Sequence, residues 1–166
     1  MTVLVSLPVL GMALIVQTAI LSRINLLSGS ADLLLLLLAG WGLQSNARFT
    51  WIWAGLAGLL VGYVSALPMV VPVAGYLLLM GMARLLQRRI WQAPLLAMFV
   101  VTFAGTLVIQ LLSYVVLWLQ GDSIQIGESF IQIILPSILL NLLLSIPCHA
   151  LMRDLAGWLH PKEVET

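Results

Sequence analysis

Charge is what this chain has least of. Only 13 of its 166 residues are charged, seven basic and six acidic, whereas 62% are hydrophobic and the mean hydropathy is +1.13. A water-soluble domain with so few charges could not cover its surface with polar groups. Because the apolar excess extends over the whole length, the composition predicts an integral membrane protein with no appended soluble domain.

The middles of the apolar blocks lack ionisable side chains. Asp32 falls at the start of one block, and the arginines fall at or beyond block ends. Proton- and ion-coupled transporters usually carry titratable groups inside the membrane, so a pump is not expected. The signatures HExxH, GxSxG and the Walker lysine loop are also missing, and no His, Asp and Glu cluster has the spacing of a metal site. The sequence therefore predicts a protein that is not an enzyme and that has no catalytic residue, metal or cofactor.

Cysteine is nearly absent as well. Cys148 is single, which excludes a disulfide framework and a thiolate metal site. His149 follows it and suggests a ligand or nucleophile pair, but adjacent residues on a helix point about 100° apart. We interpret the two as an inert buried thiol and an interfacial histidine.

Long apolar blocks are what the chain has instead. A helix needs about 20 residues to cross a hydrocarbon core of about 30 Å, so the chain has room for about six crossings. The predicted spans are residues 3–22, 31–43, 49–67, 70–84, 92–119 and 130–152, with a cytoplasmic tail at 153–166. The second block is short: it either borrows flanking residues or is re-entrant. The predicted fold class is an all-α integral membrane protein, a six-transmembrane-helix bundle in one domain.

Basic residues orient this arrangement, because Lys and Arg in short loops stay on the cytoplasmic side. With six crossings, six of the seven basic residues share one side: Arg48, Arg84, Arg88, Arg89, Arg153 and Lys162. Both termini are then cytoplasmic. We interpret Arg84, Arg88 and Arg89 as a basic anchor at the lipid headgroups, with docking of a cytoplasmic partner as the alternative. All six tryptophans fall near predicted span ends, which is typical of aromatic belts.

Two stripes of neutral polar residues follow the fifth and sixth predicted spans. The stripes are Thr102, Thr106, Gln110 and Ser113, and Ser137, Asn141 and Ser145. Steps of three or four residues place each set on one helix face. Such faces join helices by hydrogen bonds worth about 0.6–2 kcal/mol each in a membrane. The alternative is that they line a polar cavity or receive a partner's transmembrane helix.

Small residues and one acid complete the candidate features. Gly58 and Gly62 form a GxxxG motif in the third span, which lets another helix approach closely. We interpret them as internal packing residues, with a partner contact as the alternative. Asp32 stands at a helix start, where a carboxylate meets unsatisfied amides and the positive end of the helix dipole. It is interpreted as a cap.

Several segments, taken in order, resemble MreD, a family of small inner-membrane proteins of the bacterial cell-elongation machinery. These segments are QTAILSRI, ADLLLLLL, GLAGLLVGYVSALP, GYLLLMGMARLL and ILPSILLNLLLSIP, and together they cover most of the chain. Asn141, between two prolines, is the most distinctive position. The chain departs from the family at Ala31, where members often have proline before the aspartate, and at Ser65, where they commonly carry an aspartate.

The resemblance implies a fold and a role. The fold would be a six-helix bundle similar to the substrate-binding subunits of energy-coupling-factor vitamin transporters, in the bacterial inner membrane. The role would be a non-catalytic part of the machinery that determines rod shape through lateral peptidoglycan synthesis. The implied partner is an MreC-like bitopic scaffold, beside the elongation glycosyltransferase and transpeptidase and MreB filaments. Membrane lipid is also an expected partner, and nucleic acid is not.

An alternative function takes the likeness to the transporter fold literally. The chain would then be the substrate-binding membrane subunit of a vitamin transporter, with an outward-facing polar and aromatic pocket and a cytoplasmic ATPase module. The loop 121–128 and the two polar stripes would contribute to such a pocket.

Overall fold

The protein is all-helical in the part of the chain that its structure, a computed structural model, describes: residues 2–20, 28–89, 93–121, 127 and 130–159. The main helices of these residues are α1 (Thr2–Ala19), α2 (Leu33–Gly42), α3 (Thr50–Val64), α4 (Val70–Arg89), α5 (Pro94–Leu119) and α6 (Leu135–Leu159). A π-helical turn, Phe130–Ile134, leads into α6.

Within the described ranges, three helical stretches are long and apolar enough to cross a membrane, judged by length and composition. They are Val70–Arg89, Pro94–Leu119 and Phe130–Leu159. Three shorter apolar helices accompany them, Leu4–Ala19, Leu33–Gly42 and Thr50–Val64. These features are consistent with an all-α membrane protein.

The short helix α2 lies at the centre of the bundle and contacts each of the five other helices. Its residues from Leu34 to Gly42 are all buried. Lipid tails are as apolar as leucine, so the hydrophobic effect gives little reason to bury a leucine helix inside a membrane bundle. The burial of α2 is instead explained by the polar segment before it, whose backbone amides need hydrogen-bond partners within the protein.

Several helix boundaries differ from the predicted spans. Helix α4 continues five residues beyond 84, and α6 continues seven residues beyond 152, so that residues 153–159 of the predicted tail are helical. Hydropathy marks where apolar side chains stop, whereas backbone hydrogen bonding continues through Arg153 and Asp154. Lys162 and most of the loop 121–128 lie outside the described residues.

The tryptophans do not all belong to a belt. Trp41 and Trp53 are completely buried, and their rings stack with centroids 4.5 Å apart. This pair joins the end of α2 to the start of α3. Trp51, Trp118 and Trp158 are exposed, as a belt requires. Nearness to a span end therefore does not place a ring in a belt, because the side chains of Trp41 and Trp53 face the interior of the bundle.

Candidate functional site: a polar pocket at the start of α2

Residues 28–32 form a non-helical segment, here called the break, that lies against the first turns of α6. Alternate amides of the break donate to the π-helical turn and to α6: Ser28 N to Gln132 O at 3.1 Å, Ser30 N to Ser137 Oγ at 3.2 Å, and Asp32 N to Asn141 Oδ1 at 2.8 Å. These partners are spaced by five and four helical residues, about 6–7.5 Å of rise. Two residues of extended chain cover about 6.5 Å, so the spacings match. Because the break is not part of a helix, two side chains of the α6 stripe serve as hydrogen-bond acceptors for its backbone amides.

Gly29 allows the break to approach α6 so closely. A Cβ atom at Gly29 would lie 2.7 Å from both Pro136 Cβ and Ser137 N, and 2.8 Å from Ile133 O. Two of these three contacts are with backbone atoms, which cannot rotate away as a flexible side chain does. Any larger residue would push the break away from its hydrogen-bond partners.

The first amides of α2 are capped by side chains. Gln17 of α1 accepts from Leu33 N at 2.9 Å and from Leu34 N at 3.3 Å through its Oε1 atom. Asp32 is the N-cap residue, and its Oδ1 atom accepts from Leu35 N at 3.0 Å. Because helix-start amides have no partner within the helix, these two side chains satisfy groups that would otherwise be unpaired inside the bundle.

The cap extends into a network across four helices. Tyr76 of α4 donates its hydroxyl to Asp32 Oδ2 at 2.8 Å. Asn141, which accepts from Asp32 N, donates its amide to Thr106 Oγ1 of α5 at 3.0 Å. Thr106 in turn donates to the carbonyl of Thr102 at 2.8 Å. Both carboxylate oxygens of Asp32 therefore have donors from within the chain.

A cavity of about 250 Å³, here called the Asp32 pocket, lies beside this network. Its polar lining consists of Gln17, Ser30, Asp32, Ser65, Tyr76, Thr106, Gln110, Ser113 and Asn141. The lining residues come from the C-terminal parts of α1, α3 and α5 and from the N-terminal parts of α2, α4 and α6. Successive helices therefore run in opposite directions, and the pocket lies toward one end of the bundle.

The two predicted stripes differ in how they use their polar groups. Thr106 and Asn141 bond to each other between α5 and α6. Ser145 is buried, but its hydroxyl donates to Leu142 O of its own helix at 2.6 Å. Gln110 lines the pocket, and no residue in the described part of the chain hydrogen-bonds its side chain. Both stripes contribute buried residues, and helical spacing alone does not show which of them bond across the interface.

The glycine motif of α3 packs inside the chain. A Cβ atom at Gly58 would lie 2.6 Å from Val73 Cα, and one at Gly62 would lie 2.8 Å from Met69 Cγ. Gly58 thus contacts α4, and Gly62 contacts the turn that leads into it. The structure gives these residues the internal packing role, and this face is not open to a partner.

The three arginines of the predicted basic anchor differ in burial and hydrogen bonding. Arg84 is half-buried and donates to Gln44 O at 3.2 Å, to Thr50 Oγ1 at 3.3 Å and to Ala47 O. It therefore holds the loop between α2 and α3. Arg88 and Arg89 are exposed at the end of α4. The end of the bundle that carries Arg48, Arg84 and Arg88 is called the arginine end below.

Cys148 and His149 do not form a reactive pair. Cys148 lines an apolar cavity between α1, α2 and α6. His149 is buried, and its Nδ1 atom has no hydrogen-bond partner among the described residues. Within the same residues, no group of three His, Cys, Asp or Glu side chains could hold a metal ion.

Sequence reasoning gave only part of the pocket. The polar stripes and the predicted cap supplied five of its lining residues: Asp32, Thr106, Gln110, Ser113 and Asn141. Tyr76 was missed, although a tyrosine in an apolar helix needs a hydrogen-bond partner and Asp32 is the acid available to it.

Comparison with protein-family models, curated proteins and solved structures finds no match for this chain. Inferences about its chemistry therefore rest on the pocket itself. The pocket offers hydroxyl and amide groups and one carboxylate whose two oxygens already accept hydrogen bonds. Such groups can bind neutral polar atoms or hold helices together.

Proposed function

We propose that this protein is a non-catalytic inner-membrane component of the bacterial cell-elongation machinery and holds an MreC-like bitopic scaffold. The observation that carries this proposal is that both carboxylate oxygens of Asp32 already accept hydrogen bonds from within the chain. Its carboxylate, the acid of the pocket, accepts from Leu35 N and from the Tyr76 hydroxyl. Catalysis needs a titratable group, metal or activated nucleophile free to meet a substrate. Here the acid is bound within the chain, which supports a structural role.

The proposal includes six crossings. The 10 residues of α2 cover about 15 Å as a helix, and the five residues of the break cover about 16 Å if extended. Together they approach the thickness of a hydrocarbon core, about 30 Å. The break supplies the flanking length that the second block lacks. Irregular backbone at membrane depth is tolerated where protein covers it, and α6 covers the break.

The proposed contact with the scaffold is the outer surface of α5 and α6. The other face considered, the glycine face of α3, is already packed against α4. The polar stripes point inward, so the outer surface carries apolar side chains such as Leu111 and Leu143. A single transmembrane helix packs against such a surface by van der Waals contact, which drives helix association in lipid.

The vitamin-transporter subunit remains the second candidate because a polar pocket with a tyrosine exists. The small volume of the pocket favours the scaffold-holding protein over the transporter subunit. Ligand pockets usually enclose about 300–1,000 Å³, and the Asp32 pocket has about 250 Å³. Most of its polar side chains are also hydrogen-bonded within the chain; among the described residues, the side chains of Gln110 and Ser30 are the exceptions.

Site-specific photo-crosslinking in membranes of the native host tests the contact. A photoreactive residue at Leu143, which is 71% exposed on α6, should trap a single-span scaffold. The matched control is Tyr63, which is 87% exposed on α3 and should not trap it. Deletion of the gene should make rod cells round. Normal cell shape after deletion, together with lost vitamin uptake, would instead establish the transporter subunit.

A further inference from the structure

A further cavity, of about 600 Å³, opens at the arginine end between the loop before α3 and the end of α4. We call it the arginine groove. Its described lining includes Arg48, Phe49, Trp51, Arg84, Gln87 and Arg88, and no acidic residue is among the lining residues that the structure describes. Three guanidinium groups therefore line one space, and no described carboxylate lies there to neutralise them.

Two of these guanidinium groups are free to bind a ligand. Among the described residues, Arg48 and Arg88 have neither a hydrogen bond nor an ion pair, whereas Arg153 is paired with Asp154 at 3.1 Å. Both free arginines are exposed. An arginine presents several N–H donors in a planar fork that matches the oxygens of a phosphate.

The loop that forms one wall is held in an unusual shape. Phe49 has φ of 55°, in the left-handed region, which is uncommon for a bulky residue and is a source of backbone strain. Arg84 donates hydrogen bonds on both sides of Phe49, to the carbonyls of Gln44 and Ala47 and to the hydroxyl of Thr50. This fixed conformation leaves the Phe49 ring 58% exposed beside Trp51, which is 54% exposed.

Aromatic rings next to unpaired arginines fit one environment well. Tryptophan and other aromatic rings concentrate at headgroup level, where one side meets acyl chains and the other meets water. Basic pockets between transmembrane helices bind the headgroups of anionic lipids. The arginine groove combines both features at the end of a bundle whose helices α3 and α4 are apolar.

We propose that the arginine groove binds the phosphate headgroup of an anionic phospholipid. Arg48 and Arg88 contact the phosphate, and Phe49 and Trp51 contact the glycerol and the first carbons of the acyl chains. This site is separate from the Asp32 pocket and does not depend on the function proposed above. It requires only that the chain lies in a bilayer.

Native mass spectrometry of lipid retention tests this site. The full chain is reconstituted with equal amounts of phosphatidylglycerol and phosphatidylcholine, and the lipids retained after mild detergent are counted. We expect retention of phosphatidylglycerol over phosphatidylcholine. The double variant Arg48→Gln/Arg88→Gln should reduce this preference by about five-fold for each arginine. Both positions are exposed, so unchanged elution and thermal stability will verify folding.

The charge-matched control is Arg89→Gln/Arg153→Gln, which removes two arginines outside the groove and should keep the wild-type preference. Equal loss in both double variants would mean a general surface-charge effect and would overturn the proposal. Retention that survives Arg48→Gln/Arg88→Gln would also overturn it. Full displacement of the lipid by inorganic phosphate at equal concentration would indicate a free-phosphate site, and displacement by polyglutamate would indicate an acidic protein partner; either result contradicts a lipid site.

Discussion

At the scale of single residues, the structure separates two amides that the sequence presents alike. Asn141 and Gln110 both belong to polar stripes at helical spacing. Asn141 accepts from the break and donates to Thr106, whereas Gln110 has no bond to another described residue. Residue type and periodicity predict which face is polar. They do not predict pairing, because pairing depends on the break and its register along α6.

Replacing these two amides by leucine should therefore have different effects on stability. Asn141→Leu leaves the Asp32 amide without its acceptor and removes the donor to Thr106, whose hydroxyl keeps its bond to Thr102 O. We therefore expect a loss of about 1–3 kcal/mol in the free energy of unfolding. Gln110→Leu breaks no bond described here and should change stability by less than about 0.5 kcal/mol. Unfolding in mixed detergent micelles measures both. Equal losses from the two variants would contradict this account of the network.

At the scale of elements, the helices were largely predictable and the break was not. The bounds of α1, α2, α3 and α5 lie within three residues of the ends of their apolar blocks, whereas α4 continues five residues further. Apolar stretches indicate where such helices lie in the sequence. The break is set by contacts about a hundred residues away in the sequence, such as Ser30 with Ser137. A pattern confined to one segment cannot show that pairing. This long-range pairing fixes the break, and the break in turn fixes the residue at which α2 starts.

The glycines of α3 give an element-scale prediction with a matched control. Gly58→Ala would place a methyl group 2.6 Å from Val73 Cα, so α3 and α4 must separate, at a cost of about 1–3 kcal/mol. Gly55→Ala, one turn earlier on the same helix, meets nothing within 4 Å. It should leave stability unchanged or raise it by up to about 1 kcal/mol. Thermal unfolding of the two purified variants gives the comparison, and equal melting temperatures would show that the close helix contact is absent.

At the scale of the whole molecule, the alternating helix directions and the central position of α2 support the proposed six-crossing topology. Reporter fusions after Asn25, Gln87, Asp122 and Thr166 should read outside, inside, outside and inside. An N-terminus on the outside would show that the break and α2 do not cross together. A C-terminus on the outside would contradict the arrangement of the last helices.

The central claim is that this chain works by holding another membrane protein, with a pocket whose polar groups serve its own fold. The most direct test is the mass of the intact complex released from native membranes by native mass spectrometry. The account predicts one copy of the chain with one copy of a single-span scaffold, and no vitamin-sized molecule bound to the chain. Release of the chain alone, carrying a stoichiometric vitamin-sized ligand that Gln110→Leu or Tyr76→Phe abolishes, would contradict it.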